Sequence, residues 1–357
     1  MHSMTTATRA NKAPRQAWLD YIKFIAMLLV VVYHTPPRFA VAHEVALFNL
    51  GAPVFFFAAG YLFNIAKFNS FWAFVRHRAR QILVPYVTFF VVFYALWLAV
   101  GRTMAGPEEQ AIGIYTPLVE QLTGCPRTVL GPFWFLACLF TMQLIYYPLR
   151  RWLPGALPLL VSILLSASLL IMPDWKWLQY WNLDHALLYM PLYAVGNCCK
   201  TWFGTRVSFD SLRSSLLWLA LAVVGLAFLI LAPLHLDAGL AYVCTPEAVI
   251  LTLPAITASA KWLESRFGTS RVAQNVAITS ITYLAVQNYV IGIVKIVVAR
   301  VAGAQLLSPD SLATAIVIKV AIALAVMAVI YPIALLVERY CPWMLGKWHK
   351  QAHTLKH

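Results

Sequence analysis

Between residues 21 and 337 the chain is a succession of long apolar runs joined by short polar connections. Most of these runs approach the ~20 residues that an α-helix needs to cross a bilayer. Of 357 residues, 61% are hydrophobic and only 11% are charged, with a mean hydropathy of +0.74. A soluble domain carries about 25% charged residues. This chain therefore lacks the polar surface to be wetted on every side, and the same arithmetic excludes disorder. Segments of alternating polarity are absent, so the crossings are helices and not barrel strands. The fold class that follows is all-α, a polytopic membrane protein.

Ten runs are predicted to cross, at roughly 21–39, 46–65, 82–101, 132–149, 153–172, 185–200, 214–234, 239–260, 274–300 and 312–337. This divides the chain into an N-terminal segment (1–20), a ten-helix domain (21–337) and a C-terminal tail (338–357). With ten crossings both termini share one side, and nineteen of the 27 Lys and Arg residues fall there. Five (Arg38, Arg102, Arg127, Lys176 and Arg300) fall on the other side. By the positive-inside rule both termini are expected in the cytoplasm. The net charge of +14 then faces anionic lipid and calls for no nucleic-acid partner. No cleavable leader is expected, because a polar segment with Arg9, Lys12 and Arg15 precedes the first run. The six cysteines form no CxxC and no Cys/His spacing, so no metal is expected. The longest outer loop, roughly 102–131, carries Glu108, Glu109, Glu120 and Gly124-Cys125-Pro126 and is placed to cover a site.

Ionisable groups within apolar spans are costly, so each is a candidate for function. Lys23 and His34 are eleven residues apart on the first helix, within about 20° of three full turns, and share one face ~16 Å apart along the axis. A histidine near the outer end can take and return a proton near neutral pH; the plain alternative is an interfacial hydrogen bond before Thr35-Pro36-Pro37. Lys23 also has Asp20 three residues before it as a structural partner. Arg76, His77, Arg78 and Arg80 form a basic cluster before the third helix, with Arg76 and Arg80 one turn apart. Such a cluster fits a phosphate-rich ligand, although cytoplasmic loops carry arginine in any case.

Glu247, about a third of the way into the eighth span and at a depth like that of His34, is a catalytic candidate; pairing with Lys319 is its structural alternative. Pro246 and Pro254 interrupt that span. Gln287 and Asn288 either line a polar cavity or link helices. Trp175, Trp177, Tyr180, Trp181, Trp343 and Trp348 read as interfacial belts. The stretch ending in Asp184 and His185 also suits stacking on sugar rings. Trp134, Trp181, His185, Gln287 and Asn288 are accordingly the candidates for acceptor contact.

Five segments, in order along the chain, resemble the acyltransferase 3 family. Trp18 to Ala26 with Tyr33-His34 resembles its opening signature, a basic residue, ten intervening residues and His. Gly51 to Phe63 resembles its second-helix motif of aromatic residues before Gly-Tyr-Leu. Arg76 to Tyr86 resembles its arginine-rich approach to the third helix, Gly131 to Leu136 its fourth, and Ile281 to Leu284 its Tyr-Leu motif. Two departures stand out: Lys23 where the family usually has Arg, and Val286 before Gln287 where many members have His. The resemblance implies a ten-helix enzyme of the bacterial cytoplasmic membrane that moves an acyl group, usually acetyl, onto surface carbohydrate. It implies acetyl-CoA as donor, with Lys23, Arg76, Arg78 and Arg80 meeting its phosphates. It gives His34 the role of base on a sugar hydroxyl or of transient acyl carrier. A transporter or flippase for glycan intermediates is the chief alternative, against which stands the lack of internal repeats; a sensor or scaffold is the third.

Overall fold

The computed structural model describes residues 15–37, 50–102, 110–171, 176–307, 309 and 311–347. Trp175, Trp348, Glu108 and Glu109 lie outside these residues. Every regular element among the described residues is helical. The principal helices are α1 (Ala17–His34), α2 (Gly51–Leu62), α3 (Phe71–Leu96), α4 (Trp134–Trp152), α5 (Leu157–Ala167), α6 (Leu183–Cys198), α7 (Leu212–His235), α8 (Thr245–Phe267), α9 (Ser280–Val301) and α10 (Leu312–Tyr340).

Seven helices are long and apolar enough to cross a membrane, built on α1, α3, α4, α7, α8, α9 and α10. Their outward faces carry exposed aliphatic residues such as Val87, Val91, Leu219, Val223, Ile293 and Val317. In water such a surface is untenable, and in lipid it is ordinary. The protein is a multi-pass membrane protein. The second, fifth and sixth expected crossings are shorter. The α2 helix has 12 residues, ~18 Å at 1.5 Å per residue, and α5 has 11. The α6 helix has 16 and is buried without interruption from Ala186 to Gly196.

The layers follow from burial. The most apolar window of α1 is 61% buried, against 22% for α7. So α1 stands inside, against α2, α8, α9, α10 and the short helix Arg271–Ile278, while α7 leans on α8 at the rim. The α6 helix is the second inner helix, touching α2, α4, α5 and α8.

Glycine sets the spacing of α2. A Cβ on Gly60 would lie 2.0 Å from the Tyr193 carbonyl oxygen of α6, and one on Gly196 would lie 2.2 Å from the Phe57 oxygen of α2. The two backbones are in reciprocal contact, the small-residue crossing that membrane helices use. On its other side, a Cβ on Gly51 would come 2.8 Å from the Ala26 oxygen of α1.

Two expectations about helix ends are corrected. The eighth span is two helices, Ala238–Val243 and α8, broken at Cys244. Pro246 is the second residue of α8, in the first turn, where a missing N–H costs nothing. Glu247 thus sits in the first turn of α8, where the helix dipole favours a carboxylate, about a third of the way along the apolar stretch Ala238–Phe267. The Glu247–Lys319 pair is not formed. Lys319, 0% exposed, donates to the Thr35 carbonyl and, at 3.0 Å, to that of Pro37. It ties α10 to the segment that leaves α1.

The Gly60→Ala and Gly196→Ala variants are each expected to lose about 1–3 kcal/mol through overpacking against backbone, read as a lower melting temperature in detergent. Gly292→Ala, with open space around its Cβ, serves as control; equal melting of all three would show that the crossing does not depend on glycine. The Lys319→Met variant leaves two carbonyls without their donor and is expected to cost a similar ~1–3 kcal/mol. Unchanged melting would mean that the buried ammonium does not hold the end of α1.

Candidate functional site

His34 is the last residue of α1, because Thr35 turns extended ahead of Pro36 and Pro37. It borders a cavity of about 260 Å³ together with Tyr33, Phe55 of α2, Trp134 and Phe135 of α4, His185 and Tyr189 of α6, and Leu284 of α9. The rings of Tyr33 and His34 meet edge to face at 5.1 Å. Apart from the imidazoles and the Tyr hydroxyls, the side chains in this wall are apolar or aromatic, which strengthens any charge interaction within it.

Opposite α1, the first turn of α6 supplies a second imidazole. His185 Nδ1 lies 3.0 Å from Asp184 Oδ1, which also accepts the His185 backbone N–H at 2.8 Å. The ring sits 5.2 Å from Trp134 and 6.2 Å from both Tyr189 and Tyr242. The turn before it is unusual. Trp181 (φ 55°) and Asn182 (φ 49°) are both left-handed, a conformation that side chains rarely adopt and that costs of order 1–3 kcal/mol each. It is held by the segment at Gly124: the Trp181 N–H donates to the Thr123 carbonyl at 2.7 Å, and the Asn182 amide donates to that of Gly124. Only glycine fits at 124, where φ is +76° and a Cβ would lie 2.6 Å from the Trp181 Cα. A further cavity of about 380 Å³ opens here, walled by Cys125, Arg127, Gln179, Asn182, Asp184, His185 and Trp134.

Towards the start of α1 lies a third cavity, of about 390 Å³, whose wall includes Lys23, Lys67, His77, Arg78, Gln81 and Gln143. It shares Phe55, Phe135 and Leu284 with the His34 cavity. These three apolar side chains are the partition between a basic chamber and a histidine chamber. Arg78 is oriented by Gln81, which accepts from its Nη1 at 3.0 Å, and by the Phe74 ring 5.6 Å away. Lys23 makes no ion pair among the described residues, because its neighbour Asp20 is taken by Arg15 through two 2.7 Å bonds.

The structure therefore gathers His34, His185 and Trp134 around one cavity and Lys23 and Arg78 around its neighbour. Arg76 and Arg80 are exposed and line neither. Glu247 is outside all three walls, with Oε2 buried and lacking a hydrogen-bond partner. Trp181 is held in the strained turn between Tyr86 and Phe140. Gln287 is fully buried away from these walls and Asn288 is exposed. Lys67 was not among the expected residues; only its place in a basic inter-helix segment hinted at it. The Asp184–His185 contact was also missed, since nothing about adjacent residues foretells a side-chain bond. Among the described residues no group of His, Cys, Asp and Glu could hold a metal ion.

A family model described as an acyltransferase domain matches residues 16–335. Searches of proteins of curated function and of solved structures found no significant match. The matched region runs from the start of α1 into α10 and contains every residue of the three cavity walls, and the chain belongs to the acyltransferase 3 family.

Proposed function

We propose that the protein transfers a short acyl group, acetyl in the first instance, from cytoplasmic acyl-CoA to a hydroxyl of an extracytoplasmic or lipid-linked glycan. The observation that carries this reading is the pair of chambers that meet at Phe55, Phe135 and Leu284, one basic and one holding His34. Phosphates call for fixed cations, which Lys23, Lys67 and Arg78 supply. A thioester calls for a nucleophile or base in a dry wall, which His34 supplies. The small volume beside His34 suits a short acyl group. His34 either deprotonates the acceptor hydroxyl or carries the acyl group between donor and acceptor. Glu247 has no step in this reading, since it stands outside the wall.

The Lys and Arg count supports an orientation with the basic chamber and both termini on the cytoplasmic side. In that frame α2, α5 and α6 complete ten crossings together with the seven long helices. The outer cavity at Trp134 and His185 then faces the acceptor, with the bacterial cytoplasmic membrane as location and envelope polysaccharide as the acceptor class. Aromatic side chains on that wall provide flat apolar faces for sugar rings.

His34→Ala is expected to lower transfer from acetyl-CoA by about 10²–10⁴-fold while melting stays near that of the wild type. Wild-type turnover in this variant would remove His34 from the chemistry. Arg78→Ala is expected to weaken coenzyme A as an inhibitor by about 1.5–3 kcal/mol and to leave pantetheine, which lacks the nucleotide phosphates, little changed. Arg76→Ala and Arg80→Ala are expected to do much less, because both side chains are exposed. Equal losses for coenzyme A and pantetheine would show that Arg78 does not read phosphate.

A further inference from the structure

Two imidazoles, on different helices, border the cavity in which transfer is proposed to occur. His34 lines that cavity but not the outer one. His185, with Trp134, lines both. A different set of residues, Phe55, Phe135 and Leu284, is shared with the basic chamber. The shared walls thus join basic chamber, His34 cavity and outer cavity in series, with His185 at the junction of the last two and His34 within the middle one only. The two histidines occupy unequal stations along it, which suits unequal work.

We propose that His185, oriented by Asp184, is the base that activates the acceptor hydroxyl, and that His34 is the carrier of the acyl group. This rests on the acyl-CoA reading above and resolves its two options for His34. The Asp184 carboxylate accepts at Nδ1, which fixes the proton there and leaves Nε2 with its lone pair. Asp184 is itself held by the backbone N–H of His185. Other ionisable groups against the ring are the phenols of Tyr189 and Tyr242. The strained turn at Trp181 and Asn182 delivers the pair to the cavity edge.

The steps balance without a further reactant. A His34 ring nitrogen attacks the thioester carbonyl; the C–N bond forms, the C–S bond breaks, and the imidazole proton goes to the departing sulfur. In the second half, His185 Nε2 takes the acceptor proton as its oxygen bonds the acyl carbon and the C–N bond breaks. His185 then returns that proton to His34. Asp184 acts through His185 and is a positioning residue.

The test separates the two halves, using the full chain in nanodiscs and in cells of the native host deleted for its gene. The first half is read as exchange of labelled coenzyme A into acetyl-CoA without acceptor. Transfer is read as acetate released by mild alkali from envelope glycans. His185→Gln is expected to keep exchange near the wild-type rate and to lose transfer by about 100-fold or more. Asp184→Asn keeps the acceptor oxygen but not the charge, and is expected to lower transfer by about tenfold or more with exchange intact. His34→Ala is expected to lose both. Exchange by His185→Gln also serves as its folding control. Loss of both halves in His185→Gln, or transfer at the wild-type level, overturns the assignment. Wild-type transfer without wild-type exchange overturns the carrier role alone, while absence of both in the wild type overturns the proposed function itself.

Discussion

Helix α2 is held between α1 and α6 by backbone contact that only glycine permits. Gly51 meets α1, and Gly60 and Gly196 bring α2 onto α6 with carbonyl oxygens where a Cβ would stand. In a bilayer, where apolar burial between helices gives little drive, close packing is what selects one arrangement. The consequence reaches the site. Phe55 projects from this short helix into the partition, and the helices on either side carry His34 and His185. Two imidazoles about 150 residues apart in the sequence border one cavity because α1 and α6 both pack closely on the helix between them.

Several charges carried by the helices differ in what they touch. Lys319 is satisfied by two carbonyls past His34. Lys261 donates to the carbonyls of Phe203, Gly204 and Val207 at 2.6–2.9 Å. Asp20 is held by Arg15. These groups fix helix ends, and desolvation keeps them there. Lys23 and Arg78 face a cavity instead. The distinction between a charge that closes the structure and one that faces open space is therefore visible in its neighbours.

Much of this was legible in the sequence because the bilayer imposes a length on apolar runs and a cost on charges. The long helices α1, α4, α7 and α10 follow from those two rules, whereas α3 begins at Phe71 and takes in the arginines expected before it, and the ninth run divides at Thr279 into Arg271–Ile278 and α9. Other features depend on neighbours remote in the chain. Nothing within α10 says that Lys319 reaches the segment after α1, and a depth argument paired it with Glu247. Helical spacing singled out Arg76 and Arg80 as a face, yet the cavity lies on the side of Arg78, which only the packing of α3 against α4 decides. Asp20 looked available to Lys23 at i and i+3, but Arg15, just outside the helix, reaches it with a two-point fork. The aromatic stretch at 175–184 suggested stacking, whereas Trp181 is spent on a strained turn that sets Asp184 and His185.

On the proposed function, a donor held in the basic chamber delivers its acyl carbon across the partition to His34. A cryo-electron microscopy reconstruction in nanodiscs with the non-hydrolysable acetonyl analogue of acetyl-CoA tests it most directly. Phosphate density is expected beside Lys23 and Arg78, with the pantetheine arm passing Phe55 and Leu284 and the ketone against the His34 imidazole. A ketone lodged away from His34, with the nucleotide outside the basic chamber, would contradict it.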